Sequence, residues 1–244
     1  MRKAALGVAA VAALFSAPAF AADMAVKAPP PAPPIATHPW TGCYVGAEGG
    51  GGWGRSRHDD LVSGLPDTPY FHVDGGLLGG ELGCNYQFSP NWVAGLEGDL
   101  SWANLSGSTN DTGIAGTPSF VSTTKEHWVA TERLRIGPSW DRLWLYGTVG
   151  FAQARIEGDV FDTFFPALFQ QTQTEHGWTA GAGLEYALAQ NWSVKAEYLY
   201  VKLDNKSYIF PAGDSRGALN VSENIFRVGL NWQFGCFGCA VASR

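Results

Sequence analysis

The chain has 244 residues and a formal net charge of −6, with 31 Gly and 10 Trp but only 16% charged residues. This acidic balance argues against nucleic acid as a partner, because phosphate binding needs a surplus of Lys and Arg. The low charge content and the high glycine count are unusual for a soluble domain of this length.

The first 21 residues have the three parts of a secretory signal peptide. Arg2 and Lys3 form the charged start, residues 4–15 the apolar stretch, and Ala19-Phe20-Ala21 a small-x-small cleavage motif. The apolar stretch is too short to span a bilayer as a helix, and no later segment approaches about 18 uninterrupted apolar residues. We therefore expect residues 1–21 to be removed on export.

Residues 22–39 contain six prolines between Pro29 and Pro39, a density that predicts an extended, semi-rigid periplasmic spacer. A ligand for a proline-binding module is the alternative reading of this segment.

From residue 40 onward, apolar and polar residues alternate in successive segments, which is typical of strands with one apolar face. The alternation is clearest in the last segment, residues 224–234: one face carries Phe226, Val228, Leu230, Trp232 and Phe234, and the other Arg227, Gly229, Asn231 and Gln233. Short connections at 89–91, 139–142 and 189–191 alternate with long ones at 55–71, 105–124, 158–174 and 204–220. Tight periplasmic turns alternating with long external loops are typical of outer-membrane barrels.

The sequence thus predicts an all-β fold over residues 40–234, an eight-stranded antiparallel up-and-down transmembrane β-barrel, with both termini periplasmic and a short tail at 235–244. The last strand is expected to pair with the first, since an open edge is not tolerated in lipid. Tryptophans are expected to form two interfacial belts: Trp40, Trp92, Trp140, Trp192 and Trp232 at one end, and Trp53, Trp102, Trp128 and Trp178 at the other. Trp144 falls on the inward face and fits less well.

The inward faces carry a set of charged residues: Glu48, Glu81, Glu97, Asp99, Arg133, Arg135, Glu185, Lys195, Glu197 and Arg227. An eight-stranded barrel is only wide enough for side chains to fill it, so these charges are expected to pair as a structural plug. A proton or ion path is the functional alternative.

No enzymatic activity is expected. A hydrolase needs a nucleophile, a base within hydrogen-bond reach and an oxyanion donor, and His127, placed on an inward strand face, has no such partners. The pairs of acidic and histidine residues at 58–60 and 72–74 are interpreted as solvated surface, so no metal or cofactor is expected.

Several stretches resemble the small eight-stranded outer-membrane immunogenic proteins. They are WTGCYVGAEGGGGWG (40–54), NWVAGLEGDLSW (91–102), ERLRIG (132–137), WTAGAGLEYAL (178–188), NWSVKAEYLY (191–200) and FRVGLNWQF (226–234). The resemblance implies a structural surface protein of the outer membrane. Some members of that family bind haem, for which His176 and the aromatic segment 161–169 offer an axial ligand and an apolar slot.

The chain departs from that family at Cys43, at Glu132 and in the tail after Phe234. Glu132 is placed toward lipid, which favours either a protomer contact or a local bulge that turns it inward. Cys43, Cys84, Cys236 and Cys239 are all expected at the periplasmic rim in an oxidising compartment. We favour Cys43–Cys84 and Cys236–Cys239; an unpaired apolar Cys in lipid contact and a loose tail are the alternatives.

The predicted function is a structural outer-membrane barrel that supports envelope integrity and makes surface contacts through its loops; the alternative is a narrow porin or small-ligand binder. Expected partners are outer-membrane lipid and lipopolysaccharide, together with the outer-membrane assembly machinery acting through the closing strand that ends at Phe234.

Overall fold

The computed structural model describes residues 38–60, 68–110, 120–162, 167–204, 216–219 and 221–235. All of them belong to one compact unit that runs from Thr37 to Arg244. The predicted signal peptide, most of the proline-rich spacer, and Cys236 and Cys239 lie outside the described residues. Among those described, no helix is long and apolar enough to cross a membrane.

The described residues form ten strands: β1 (Gly42–Ser56), β2 (His58–Asp60), β3 (Phe71–Ser89), β4 (Trp92–Asn110), β5 (Phe120–Trp140), β6 (Leu143–Asp162), β7 (Ala167–Ala187), β8 (Trp192–Leu203), β9 (Arg216–Leu219) and β10 (Ser222–Phe234). Eight of them close into a ring in the order β1-β10-β8-β7-β6-β5-β4-β3, and every pairing in the ring is antiparallel. The predicted eight-stranded barrel is therefore confirmed, including the closure of the last strand on the first.

The two ends of the barrel differ. At the turn end, β1 begins, β10 ends, and short connections join β3 to β4, β5 to β6 and β7 to β8. Asp141 has a φ of 48° in the β5–β6 turn, a conformation that Asp tolerates better than most residues. The opposite end, the loop end, carries the connections from β1 to β3, β4 to β5, β6 to β7 and β8 to β10.

Strands extend further at the loop end than the sequence predicted. The segments 105–124 and 158–174 were expected to be loops, yet pairing continues to Asn110↔Val121 and to Asp162↔Ala167. The small β2–β9 sheet, outside the barrel ring, joins two more segments predicted as loops. In these hairpins, backbone hydrogen bonds between the strands satisfy the polar groups of the main chain, and no apolar face is needed. The strand ends were predicted from the apolar face, so these extensions were not detected.

A β-bulge changes the face assignment of β5. Its register shifts between Glu126 and Trp128 against β6, so the even-numbered residues point inward on the loop side and the odd-numbered residues on the turn side. His127, predicted to face inward, is therefore exposed on the outside, and Glu126 is buried inside. A bulge inserts one unpaired residue and so reverses a strict period-two extrapolation.

The outward face is apolar over the middle of the barrel, with exposed side chains such as Leu82 (66%), Leu96 (63%) and Phe151 (72%). Seven tryptophans predicted for the two belts are outward and exposed: Trp53, Trp92, Trp102, Trp140, Trp178, Trp192 and Trp232. Trp40 was predicted in the belt of the turn end, but it is 2% exposed and lies inside the barrel mouth. The buried core of this protein therefore lies inside the barrel, in the lumen.

Candidate functional site: the barrel lumen

The ten charged residues predicted to face inward meet in the lumen. Seven of the eight barrel strands supply them, and the exposed fraction of each residue is 7% or less. Six carboxylates surround four cationic side chains, so every cation has more than one anionic neighbour. Charges so deeply buried persist only when paired and hydrogen-bonded.

Lys195 lies at the centre of this network. Its Nζ is 3.0 Å from Glu97, 3.3 Å from Glu48 and 3.8 Å from Glu197, and it also donates to Glu81. Gly229 stands opposite Lys195 on β10, where a Cβ would lie only 2.9 Å from Glu81 Oε1 and 3.0 Å from Lys195 Cε. The absence of a side chain at Gly229 therefore leaves room for this ion pair.

Two arginines bridge strands across the lumen. Arg133 donates to Glu197 at 2.7 Å and to Asp99 at 3.0 Å, and its side chain also pairs with Glu97. Arg227 holds Asp99 through two donors, at 2.9 and 3.0 Å, and Glu197 at 3.0 Å. Such two-pronged bonds fix both position and direction, which a lysine does not do.

Arg135 is held by aromatic rings as well as by carboxylates. It pairs with Glu97 at 2.9 Å and with Glu185 at 3.3 Å. Its guanidinium carbon lies 4.7 Å from the Trp144 ring centroid, 4.9 Å from that of Tyr146 and 5.1 Å from that of Tyr44 (three cation–π contacts). The inward position of Trp144, which did not fit a belt, thus serves to cover this arginine.

The turn end of the lumen is closed by aromatic side chains. Trp40 packs against Trp144 with 5.7 Å between ring centroids, and its Nε1 donates to the Asp141 carbonyl at 3.1 Å. The backbone N–H of Trp40 reaches Gln87 Oε1 at 3.4 Å, which ties the residues before β1 to β3. Trp40 is therefore a cap on the charge network.

On the loop side of the network the lumen becomes apolar, and the acidic residues buried in this layer beyond the Trp53–Trp128 belt include Glu126, Glu175 and Glu223. Glu126 stands opposite Ile156, and Glu223 opposite Val201. Burial, with the Glu223 carboxyl beside it, raises the pKa of Glu126 well above its ordinary value, and burial raises the pKa of Glu223. Neither Glu126 nor Glu223 was predicted: the bulge at His127 reverses the face of Glu126, and β10 begins at Ser222 rather than at residue 224, where the predicted strand began.

A second missed feature is a histidine beside two hydroxyls. His58 Nε2 is 3.2 Å from Thr124 Oγ1, which is 3.1 Å from Ser56 Oγ. Ser56 stands two residues before His58, a spacing that places both on one strand face and that was a usable signal. The exposed fraction is 5% for His58, 1% for Thr124 and 0% for Ser56. Buried hydrogen bonds of this kind fit a structural role better than a site open to substrate.

The other candidate ligand residues do not converge. His72 and Asp74 lie on the outward face of β3, whereas His58 points into the barrel. Across the described ranges, no group of three His, Cys, Asp or Glu residues is placed to hold a metal ion.

The haem slot suggested by the resemblance is not assembled among the described residues. His176 is opposite Gln153, while Leu168 is opposite Phe161 on the same hairpin. Eight residues separate the two positions, which at about 3.3 Å per residue is roughly 26 Å. His176 therefore does not face the exposed apolar pair at the hairpin tip.

Cys43 and Cys84 are directly opposite on β1 and β3, near the turn end, and form a disulfide bond. Glu132 remains exposed on the outward face between Ala130 and Leu134, and the register of β5 is regular there. The local bulge proposed to turn Glu132 inward is therefore wrong, whereas a protomer contact stays a prediction.

This chain is similar to known outer-membrane proteins. The outer membrane protein β-barrel domain family matches residues 7–234. The 31 kDa outer-membrane immunogenic protein of Brucella melitensis is 34% identical over 241 residues, covering 93% of this chain and 98% of that protein. The 25 kDa outer-membrane immunogenic protein of the same species is 31% identical over 225 residues, covering 90% and 92%. Among solved structures, the attachment invasion locus protein Ail of Yersinia pestis gives a TM-score of 0.40 at 16% identity, covering 80% of this chain and 99% of that chain.

Proposed function

This chain belongs to the outer membrane protein β-barrel domain family, and from that premise we propose that it is a structural, surface-exposed protein of the outer membrane. In this role it stabilises the envelope and presents its loops for surface contacts, without catalytic turnover. The named relatives are outer-membrane immunogenic proteins, which supports a surface protein over an enzyme.

The sealed lumen is the observation that carries this proposal. Lys195, Arg133, Arg135 and Arg227 each contact at least two carboxylates, and none of the four is more than 3% exposed. An ion crossing the barrel would have to separate these pairs and displace the Trp40 cap. Both steps are costly in a lumen filled by side chains.

The proposal includes an orientation. The turn end, with both barrel termini, faces the periplasm, and the loop end faces outward, as in other outer-membrane barrels. In this arrangement Phe234 ends the closing strand at the periplasmic rim, where the outer-membrane assembly machinery is expected to recognise it. Phe161 and Leu168, which are 40% and 61% exposed on the β6–β7 hairpin, then form an apolar surface for contacts outside the cell.

Planar-bilayer recording tests the sealed lumen against the narrow-porin alternative. The refolded protein is expected to give no discrete current steps at any applied voltage. A known porin recorded in the same bilayers shows that insertion is detected. Regular single-channel steps from the unmodified protein would contradict the proposal and establish the porin.

A further inference from the structure

A polar surface cavity lies on the outward face of the barrel where β3, β1 and β10 meet, at the loop end. Its volume is about 320 Å³, and its lining includes Trp53, Arg55, His72, Ser222 and Asn224. The strand register places Arg55 opposite both His72 on β3 and Ser222 on β10. Three neighbouring strands thus direct a guanidinium, an imidazole and a hydroxyl toward one cavity.

The two basic side chains of this cavity have no carboxylate within ion-pair distance in the described part of the chain. Two other cations at this end are neutralised: Arg57 pairs with Asp59 at 2.7 Å, and Lys125 with Asp159 at 2.7 Å. Asp74 is opposite Trp53 on β3, but it does not line the cavity. The cavity is therefore positively charged and has donors available to an anion.

The cavity lies at the boundary between apolar and polar surface. Trp53, which is 50% exposed, belongs to the loop-end aromatic belt. On the turn side of it the same strands expose an apolar column that includes Leu78 (68%), Phe226 (48%) and Val228 (46%). Arg55 and His72 lie on the other side, beyond the belt. A ligand with an anionic head and acyl chains fits both surfaces at once.

We propose that this cavity holds a phosphate group of a phosphorylated glycolipid, the lipid A of the outer leaflet. Arg55 binds the phosphate through two N–H donors, the geometry that distinguishes arginine from lysine at phosphate sites. His72 and Ser222 supply further donors, and the acyl chains lie along Leu78 and Phe226. Asn224 shapes the wall, because its side chain is already engaged by Tyr198 at 2.5 Å and by the Trp53 carbonyl at 3.4 Å.

The lipid source is favoured over free phosphate because Trp53 on β1 and Phe226 on β10 lead from the cavity to the apolar column, although Asp74 stands between His72 and Leu78 on β3. Free phosphate would use only the polar part and would leave that column without a role. The site deepens the proposed structural role and rests on its orientation, with the loop end outward, because only then does the cavity face the outer leaflet.

The test measures binding of bis-phosphorylated lipid A to the full mature protein in detergent, by native mass spectrometry and by competition. Fully dephosphorylated lipid A and inorganic phosphate are the comparison probes. The variants are Arg55→Ala and His72→Ala, each checked for folding by its faster migration in an unboiled gel. Arg155→Ala is the matched control, because Arg155 is exposed and outward next to the same aromatic belt, opposite Trp128, but does not line the cavity.

We expect Arg55→Ala to weaken lipid A binding by about tenfold or more, since one charge-assisted pair is lost. His72→Ala should weaken it less, Arg155→Ala should leave it unchanged, and dephosphorylated lipid A should bind the unmodified protein as weakly as lipid A binds the Arg55→Ala variant. Equal binding of the two lipids, or equal loss in Arg55→Ala and Arg155→Ala, would overturn the site. Displacement of lipid A by inorganic phosphate at comparable concentration would overturn the lipid as its ligand.

These outcomes are separable from failure of the proposed function. If the barrel conducts ions but still prefers phosphorylated lipid A through Arg55, the sealed lumen is refuted and the lipid site stands. If the barrel is closed to ions but shows no preference for the phosphorylated lipid, the lipid site is refuted and the sealed lumen stands.

Discussion

Replacement of Lys195 by methionine tests the charge network at its centre. Methionine keeps most of the length and the apolar character of the lysine stem but removes the charge. Of the four carboxylates that contact Lys195, Glu48, Glu97 and Glu197 each keep at least one arginine partner. Glu81 keeps no cation among the residues the structure describes, because its ion pair is with Lys195.

The expected magnitude follows from this difference. Removing one partner of a buried ion pair typically costs about 3–5 kcal/mol. Lys195→Met is expected near the upper end, since Glu81 is left unpaired. Arg133→Met is expected near the lower end, because Glu97, Asp99 and Glu197 retain other cations. A second change, Glu81→Gln, should restore about 1–3 kcal/mol to Lys195→Met by removing the unpaired carboxylate.

Urea unfolding in lipid vesicles, followed by tryptophan fluorescence, gives the free energy of unfolding of each variant. Arg155→Ala is the matched control, because it removes an exposed outward cation and is expected to cost little. The reasoning would be refuted by a Lys195→Met/Glu81→Gln protein no more stable than Lys195→Met. A control variant that loses as much stability as Lys195→Met would refute it as well.

Three further outcomes are expected. Burial raises the pKa of Glu126 above the ordinary value of 4.5. The contribution of Glu126 to the free energy of unfolding is therefore fully present below pH 4.5 and is lost as the pH rises through the raised pKa. Glu126→Gln should therefore flatten the decline of unfolding free energy with pH, and an unchanged slope would count against a buried, protonated Glu126. In non-reducing peptide mapping, Cys43 and Cys84 should be found in one linked peptide pair, whereas alkylation of both without reductant would disprove the bond. Glu132→Leu should increase the free energy of unfolding by about 1–2 kcal/mol, because a carboxylate is removed from the lipid-facing surface; a loss of stability would point to a protomer contact instead.

The sequence alone determined the number of barrel strands and the face on which most of their residues lie. Strict alternation over residues 224–234 assigned Arg227 to the lumen and Phe226 to the outside, as observed. The same rule placed Arg133 and Arg135 inside. This succeeds because the side-chain period of a strand is two, so local sequence decides the face wherever the strand is regular.

Only the tertiary structure decided what each lumen residue meets. Arg227 is opposite Glu197 on the neighbouring strand, but it also reaches Asp99 across the barrel. That contact depends on the stagger of eight strands, which no single segment encodes. The bulge at His127 likewise reverses the alternation without a sequence mark of its own. Trp40 caps the lumen because the residues before β1 fold back over the turn end. This packing depends on Asp141 in the β5–β6 turn and on Trp144 in β6, about a hundred residues later.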